Sequence, residues 1–267
     1  MTSASDTRLP SDLALRSIVA LGMVAATLSA LWLGGIIFWI VCSAVGVGMM
    51  GEWGSLIGLS AMRTRHAQFI LCVPLAIMGP WGAGPYFFAF GLLIGAACFA
   101  VIVTRRAMTG WGVLYVSLPV MGLLLIRNQH DGVILTFWAL ALVWACDIGA
   151  YFAGRAIGGP KLAPAVSPNK TWAGLIGGVG AAAIFGGVMH HYAGLPWRLT
   201  LATPVLAVLA QSGDLFESWM KRRAGVKDSG NLLPGHGGLL DRLDGLAPVA
   251  PTAAFLVMLP EILGFFR

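Results

Sequence analysis

The chain has 267 residues, of which 58% are hydrophobic and 10% are charged, and its mean hydropathy is +0.82. This composition excludes an ordinary soluble domain and predicts an all-α, polytopic integral membrane protein. The formal net charge is +6. In such a protein basic residues gather on cytoplasmic loops beside anionic lipids, so we expect a bilayer partner and no nucleic acid.

The first part of the chain is predicted to form helical hairpins. No Asp, Glu, Lys or Arg occurs between Ser17 and Gly51, or between Ala67 and Thr104. A single span needs about 20 residues, so each run predicts two helices. Their turns are expected near Gly34–Gly35 and at Gly79–Pro85. Residues 1–16 are polar and are predicted to be a cytoplasmic tail without a cleavable signal.

Further apolar stretches bring the predicted count to about nine transmembrane helices. They are Ala107–Ile126, Gly132–Gly154, Ala173–His190, Thr200–Phe216 and Leu246–Phe266. In the first part polar residues are confined to connections, and Glu52, beside Trp53 at a helix end, is interpreted as an interfacial residue.

The basic residues orient these spans. With alternating loops, one side of the membrane collects most of them: Arg8, Arg16, Arg63, Arg65, Arg105, Arg106, Arg155, Lys161, Lys170, Lys221, Arg222, Arg223, Lys227 and Arg242. The other side has Arg127, Arg198 and Arg267. The positive-inside rule then predicts a cytoplasmic N-terminus and an external C-terminus, in the cell inner membrane. Residues 155–172 and 218–244 are predicted to face the cytoplasm.

Two acidic residues lie inside predicted spans of the second half, Asp147 and Asp214. A charge at membrane depth costs roughly 2.5–3.5 kcal/mol on insertion scales, so its presence indicates function. The alternative is a structural pair between helices.

Helical spacing aligns further polar residues with these two acids. The first face, at intervals of four, carries Asp147, Tyr151 and Arg155. The second carries Asp214, Ser218, Lys221 and Arg222, with Glu217 beside them.

The connection from Gly154 to Gly174 is rich in Gly, Pro and residue types that bind phosphate: Arg155, Lys161, Ser167, Lys170 and Thr171. Residues 167–171 resemble a helix start, whose free amides suit an anion. An ordinary capped loop is the alternative.

The polar stretch Ser218–Asp244 is the densest group of charges in the chain, with five of the 17 basic residues and three of the 11 acidic ones. It contains a basic cluster, a Gly-rich turn around His236 and the acidic pair Asp241 and Asp244. This pair would share a face if the last helix begins early. Carboxylates among Lys and Arg suit a divalent cation that holds a polyphosphate. His236 either contacts substrate or fixes the turn.

This stretch resembles the signature of phosphatidate cytidylyltransferases, the CDP-diacylglycerol synthases. The matching positions are Ser218, Lys221, Arg222, Lys227, Asp228, Gly230, Leu233, Pro234, His236, Gly237, Gly238, Leu239, Asp241, Arg242, Leu243 and Asp244. Asp147–Gly174 and the Gly213–Asp214 step are also similar to the family. The first half matches only as a series of hydrophobic helices.

The resemblance implies that phosphatidate attacks the α-phosphorus of CTP, giving CDP-diacylglycerol and pyrophosphate. It implies Mg²⁺, with room for a second ion, held by Asp214 and Asp241, with Asp244 and Asp147 as second choices. It implies a catalytic set that also includes Lys221, Arg222, Lys227 and Arg242. Residues expected to bind substrate are Arg155, Ser167, Lys170, Thr171, Ser218, Asp228 and His236.

The chain is therefore interpreted as a single membrane domain over residues 1–267, with N-terminal helices at 17–137 and a catalytic half at 138–267. A transporter using Asp147 and Asp214 for ion coupling is one alternative, but it would place such acids in both halves. A phosphotransferase acting on a CDP-lipid is another, but its Asp-Gly-x2-Ala-Arg spacing is absent. Gly-rich spans would permit a homodimer.

Overall fold

The computed structural model describes residues 10–230 and 237–265, and in these ranges the protein is almost entirely helical. The helices are α1 (Pro10–Leu33), α2 (Gly35–Leu56), α3 (Ala61–Ile77), α4 (Phe87–Thr104), α5 (Ala107–Arg127), α6 (Gly132–Ile157), α7 (Trp172–Ala193), α8 (Trp197–Arg223), α9 (Leu240–Leu243) and α10 (Leu246–Phe265). Strands β1 (Lys161–Ala163) and β2 (Ser167–Thr171) form one antiparallel hairpin between α6 and α7. The all-α prediction is confirmed.

Within the described ranges, seven helices are long and apolar enough to cross a membrane: α2, α4, α5, α6, α7, α8 and α10. The apolar part of α1, Ser17–Leu33, is shorter, and α3 has only 17 residues. The protein is thus a polytopic membrane protein. The count of nine spans and the sides of the two termini stay predictions.

Both predicted hairpin turns are confirmed. Helix α1 ends at Leu33 and α2 begins at Gly35, and Gly34 has a φ of 63° that favours glycine. The guanidinium of Arg127 donates to the carbonyl of Leu31 at 2.9 Å, which joins the end of α5 to this turn. The second turn lies between Ile77 and Phe87.

Helix α5 lies at the centre of the bundle and contacts α2, α4 and α10. Trp53 of α2 is buried and its indole N–H donates to the carbonyl of Met108 at 2.9 Å. A Cβ at Gly112 would overlap this indole ring, and one at Gly122 would lie 2.7 Å from the carbonyl of Ala250 on α10. Small residues on α5 therefore let its neighbours approach closely.

Helices α6 and α7 pack along a seam of small residues. A Cβ at Gly177 would overlap the side chain of Ala153, and a Cβ at Gly149 would lie 2.8 Å from the carbonyl of Gly177. Close backbone approach compensates for the lack of a hydrophobic driving force between helices in lipid. The seam holds α6, which carries Asp147, against α7, which follows the β-hairpin.

Two local predictions need correction. Residues 167–171 form strand β2 rather than a helix start, and only Thr171 acts as the cap of α7, accepting from the amide of Gly174 at 3.0 Å. Asp241 and Asp244 do not share a face of the last helix, because they belong to the separate short helix α9 and its C-cap. Gly245 follows, packed against Val143, before α10 begins.

Glu52 connects the N-terminal helices to the loop before α9. Its side chain is buried, and its two oxygens accept from the amides of Leu239 at 2.9 Å and Leu240 at 2.8 Å. It also accepts from the hydroxyl of Ser229 at 3.2 Å. The interpretation of Glu52 as an interfacial residue is therefore wrong: it supplies acceptors for the start of α9, where amides have no partner within the helix.

Two glycines of the signature leave room for this carboxylate. A Cβ at Gly230 would lie 2.7 Å from one Glu52 oxygen, and a Cβ at Gly238 would lie 2.5 Å from the other. Gly237 has a φ of 78°, and its Cβ would meet the Asp241 carboxylate at 2.9 Å. The glycines of this loop are thus required by close approach to two carboxylates, and at Gly237 by its backbone conformation as well.

The Gly177→Leu variant tests the seam between α6 and α7. We expect it to lose about 1–3 kcal/mol of stability, because added atoms in a packed interface force the backbones apart. Gly180→Leu is the control on the same helix, since nothing lies within 4 Å of a Cβ there. Thermal unfolding in detergent measures both, and equal unfolding temperatures would contradict the packing described.

The Glu52→Ala variant tests the contact between the two halves. It leaves the amides of Leu239 and Leu240 without their acceptor, and each buried unpaired donor costs about 1–3 kcal/mol. We expect a clear fall in the unfolding temperature. Glu261→Ala, which removes an exposed carboxylate of α10, is the control and should change little. Equal unfolding temperatures for the Glu52 and Glu261 variants would contradict this role for Glu52.

Candidate active site

The first part of the site joins the β-hairpin to α8. The ammonium of Lys170, on β2, lies 2.6 Å from a carboxylate oxygen of Asp214, on α8. The other oxygen of Asp214 accepts from the hydroxyl of Ser218 at 3.3 Å, one helical turn away. Lys170 and Asp214 are both only partly accessible. Asp214 and Ser218 share a helical face as predicted, and the structure adds Lys170, which reaches them from the hairpin.

Gln211 links this ion pair to α6. Its side-chain carbonyl accepts from Lys170 at 3.0 Å, and its amide donates to Asp147 at 3.3 Å. Gln211 is buried and lies one turn before Asp214. Asp147 and Asp214, predicted from separate spans, therefore belong to one polar network through a residue that the sequence analysis missed.

This network lines a cavity of about 680 Å³ between α6, β2, α7 and α8. Its polar lining includes Asp147, Tyr151, Arg155, Asn169, Lys170 and Asp214. The Arg155 guanidinium donates to the Tyr151 hydroxyl at 2.8 Å, which confirms that the predicted face of α6 is continuous. The cavity is of the size that holds a small-molecule ligand. It combines cations with carboxylates at the ends of apolar helices.

Asp241 is the centre of the second part of the site. One oxygen accepts from the ammonium of Lys221 at 2.6 Å. The other accepts from the Gly238 amide at 2.8 Å and from both the amide and the hydroxyl of Ser229 at 2.9 Å. Ser229 also contacts Glu52 and is buried. Asp241 therefore joins Ser229 to Gly238 and fixes Lys221 in the same arrangement.

The two aspartates around α9 have opposite electrostatic environments. Burial raises the pKa of Asp241, but hydrogen bonds from Lys221 and from the Gly238 and Ser229 amides outweigh it, and the pKa is lowered to about 2. Burial and then the nearby Asp214 carboxylate raise the pKa of Asp244 to about 7, although the Gly245 amide donates to it at 2.6 Å. Asp244 thus lies within electrostatic reach of Asp214, and the charge of Lys170 lowers its pKa only in part.

Glu217 adds a carboxylate whose oxygens are incompletely satisfied. Its side chain is 2% exposed and its Oε1 lies 3.4 Å from the Lys221 ammonium. Neither oxygen accepts a hydrogen bond within the described part of the chain, and the same holds for the buried Tyr115 hydroxyl. Since buried polar atoms normally have partners, this region has acceptors available for a cation.

The donor set fits a hard divalent cation bound jointly with substrate. Asp214 and Asp244 are neighbouring carboxylates, and Mg²⁺ commonly takes one or two carboxylates together with waters and phosphates. Among the described residues, no three His, Cys, Asp or Glu side chains converge as a closed metal site. The residues therefore fit an ion completed by phosphate oxygens. Asp241 accepts from four donors, whereas Asp214 accepts from Lys170 and Ser218 and so keeps more capacity for an ion.

The remaining predicted residues lie around these two parts. Arg222 donates to the carbonyl of Val166 in the hairpin at 3.4 Å. Lys227, Asp228 and Arg242 are exposed on the loop and on α9. The hydroxyl of Thr171 caps α7, and Ser167 lies on β2 away from the cavity lining. His236 falls outside the described residues.

The functional residues that sequence reasoning missed are those without a charge or outside the signature. They are Glu52, Tyr115, Gln211 and Ser229. The position of Gln211 could have indicated it, since it lies three residues before Asp214 on the polar face of α8. The position of Glu52 could also have indicated it, because it is the first acidic residue after a long apolar run. Nothing in the sequence indicated Tyr115 or Ser229.

The arrangement as a whole suits chemistry on phosphates. Lys170 and Lys221 are each held by a carboxylate at 2.6 Å, so they are positioned before any ligand arrives. Fixed cations stabilise charge that develops on transferred and leaving phosphates without reorganising. Asp214 and Asp244 supply acceptors for a cation beside them. Among the site residues that the structure describes, no side chain is placed as a nucleophile.

Comparison with known proteins agrees with this chemistry. A protein named phosphatidate cytidylyltransferase from Brucella suis biovar 1 is 38% identical over 255 residues, which is 90% of this chain and 91% of that protein. Proteins of the same name from Haemophilus influenzae and Bacillus subtilis are 43% and 46% identical over 152 and 138 residues, about half of each chain. The model of the cytidylyltransferase family matches residues 14–259. The chain therefore belongs to the cytidylyltransferase family.

Proposed function

We propose that this protein is a phosphatidate cytidylyltransferase, which transfers CMP from CTP to phosphatidate and releases pyrophosphate. The relatives carry that name, and one of them aligns with nine-tenths of the chain. The observation that carries the proposal is the pre-positioned Lys170, which is bound to Asp214 in the lining of a cavity of about 680 Å³. A second lysine, Lys221, is held by Asp241 two turns further along the helix that carries Asp214. That arrangement suits a triphosphate.

The reaction needs alignment and charge neutralisation rather than a side-chain nucleophile. A phosphate oxygen of phosphatidate forms a bond to the α-phosphorus of CTP, and the bond from that phosphorus to the β-phosphate bridging oxygen breaks. The attacking oxygen is already anionic at neutral pH, so no general base is required. Lys170 and Arg155 line the cavity and would hold the triphosphate, while Lys221 and Arg222 would neutralise charge beside it.

We propose that Asp214 and Asp244 contact Mg²⁺ directly, with Asp147 and Asp241 supporting them. When bound, the ion would neutralise charge on the triphosphate. Asp241 is already saturated by Lys221, Ser229 and Gly238, which supports a positioning role for it.

The proposed reaction agrees with a cytoplasmic site in the cell inner membrane, because CTP is water-soluble and phosphatidate is held in the bilayer. The positive-inside distribution of Lys and Arg supports this orientation. A homodimer also stays a proposal. Glycines with nothing within 4 Å of a Cβ, such as Gly91 and Gly95 on α4, offer a surface for close helix contact.

Purified protein in detergent–lipid micelles tests the function directly. We expect conversion of phosphatidate and CTP to CDP-diacylglycerol and pyrophosphate, abolished when EDTA removes Mg²⁺ and restored when Mg²⁺ is added. Thin-layer chromatography of labelled lipid and a pyrophosphate assay measure the two products. Failure to form both products with CTP, phosphatidate and Mg²⁺ all present would contradict the proposed function.

Substitution of the two central aspartates tests the site. We expect Asp214→Asn to lower kcat about 100-fold or more with little change in unfolding temperature, because it removes a charge that faces ligands. Asp241→Asn should lose both activity and stability, since Lys221 and the loop amides lose their shared acceptor. Asp131→Asn, an exposed carboxylate far from the site, is the matched control. Wild-type turnover in the Asp214 variant would show the assignment to be wrong.

A further inference from the structure

A second cavity lies on the membrane side of the site and takes no part in the chemistry described above. It lies between α1, α2, α5 and α6 and reaches α9 and the start of α10. Its volume is about 90 Å³, on the same measure that gives about 680 Å³ for the polar cavity, so it is narrow. We call it the apolar cleft, and its wall on α2 is formed by Phe38, Val41, Cys42, Val45 and Met49.

The apolar cleft begins next to the candidate active site. Leu243 and Leu246 line it, and they flank the Asp244–Gly245 step. Leu243 also belongs to the same short helix as Asp241. A molecule whose phosphate lies among the carboxylates and lysines could therefore extend directly into the cleft.

The depth of the cleft matches one leaflet of a bilayer. Phe38, Cys42, Val45 and Met49 recur at intervals of four, three and four, so they form one face of α2. From Met49 to Phe38 the helix rises about 16 Å, at 1.5 Å per residue. Half of a hydrocarbon core of about 30 Å is about 15 Å. The cleft is long enough for a fatty acyl chain.

The walls offer nothing to a polar ligand. Thr27 is the only lining side chain with a hydroxyl among the described residues, and that hydroxyl already donates to the carbonyl of Met23 at 2.8 Å. A nucleoside would lose its hydrogen bonds to water here without replacing them. An acyl chain loses none, so the chemistry of the walls selects the lipid.

We propose that the apolar cleft binds one acyl chain of the lipid substrate while its phosphate lies beside Asp244. The proposal rests on the proposed function for the identity of that lipid. It places the acyl chain inside the protein, against α2, rather than in the surrounding bilayer. The cleft then contributes to the selection of phosphatidate by chain length.

The Val45→Phe variant tests this placement by narrowing the cleft near its middle. Wild-type and variant proteins are assayed with dioleoyl and with dihexanoyl phosphatidate. We expect kcat/KM for the long-chain lipid to fall about tenfold or more, because excluded methylenes lose their burial free energy. The short-chain lipid ends above Val45 and should react as before. Ile40→Phe, on the same helix but 50% exposed and outside the cleft, is the matched control.

Equal losses on both lipids, or no loss on the long-chain lipid, would overturn the proposal. A second measurement on the unmodified protein does not depend on activity or on the folding of a variant. Phosphatidate with a diazirine near the methyl end of one chain is photolysed with the protein, and the labelled peptides are mapped. We expect the labelled side chains to be those that line the cleft on α2, such as Phe38, Cys42, Val45 and Met49. Labelling confined to outward-facing residues such as Ile37 and Ile40 would overturn it, even if the protein failed to turn over phosphatidate.

Discussion

A carboxylate inside an apolar helical bundle must be matched by a cation or by N–H donors, and the structure depends on that constraint at Asp241. Its two oxygens collect the Lys221 ammonium, the Gly238 amide and both donors of Ser229. Unpaired, a buried charge would cost several kcal/mol. The same contacts close the signature loop and fix a lysine of the site. Stability and preorganisation are thus supplied by one set of interactions.

The N-terminal helices take part in the site as well as in the membrane anchor. Glu52 of α2 accepts from the first amides of α9, while α5 carries Tyr115 against the carboxylate region. The apolar cleft is lined by Leu243 and Leu246, which flank Asp244 and Gly245, while the polar cavity is lined by Asp147 and Asp214. This arrangement would bring a water-soluble nucleotide and a membrane-embedded lipid to the same carboxylates. A site at the end of the helical bundle is accessible both from water and from the bilayer, as these two substrates require.

Much of the fold could be predicted from the sequence, because apolar runs of fixed length are the strongest signal a membrane protein carries. The length of these runs predicted the turn at Gly34 and the turn after α3. Helix periodicity likewise predicted that Asp214, Ser218 and Lys221 share a face. The strand at residues 167–171 and the break after Asp244 could not be predicted, because both depend on contacts with distant residues. Glu52 and Ser229 were missed for the same reason: their partners lie far away in the chain.

The central claim is that Lys170, Asp214 and Asp244 surround the reacting phosphates. A structure of the protein with CTP and Mg²⁺ bound tests it most directly. The account predicts that the triphosphate lies in the cavity between α6 and α8 against Lys170, with the ion in contact with Asp214 or Asp244. A nucleotide bound elsewhere, or an ion touching neither carboxylate, would contradict it.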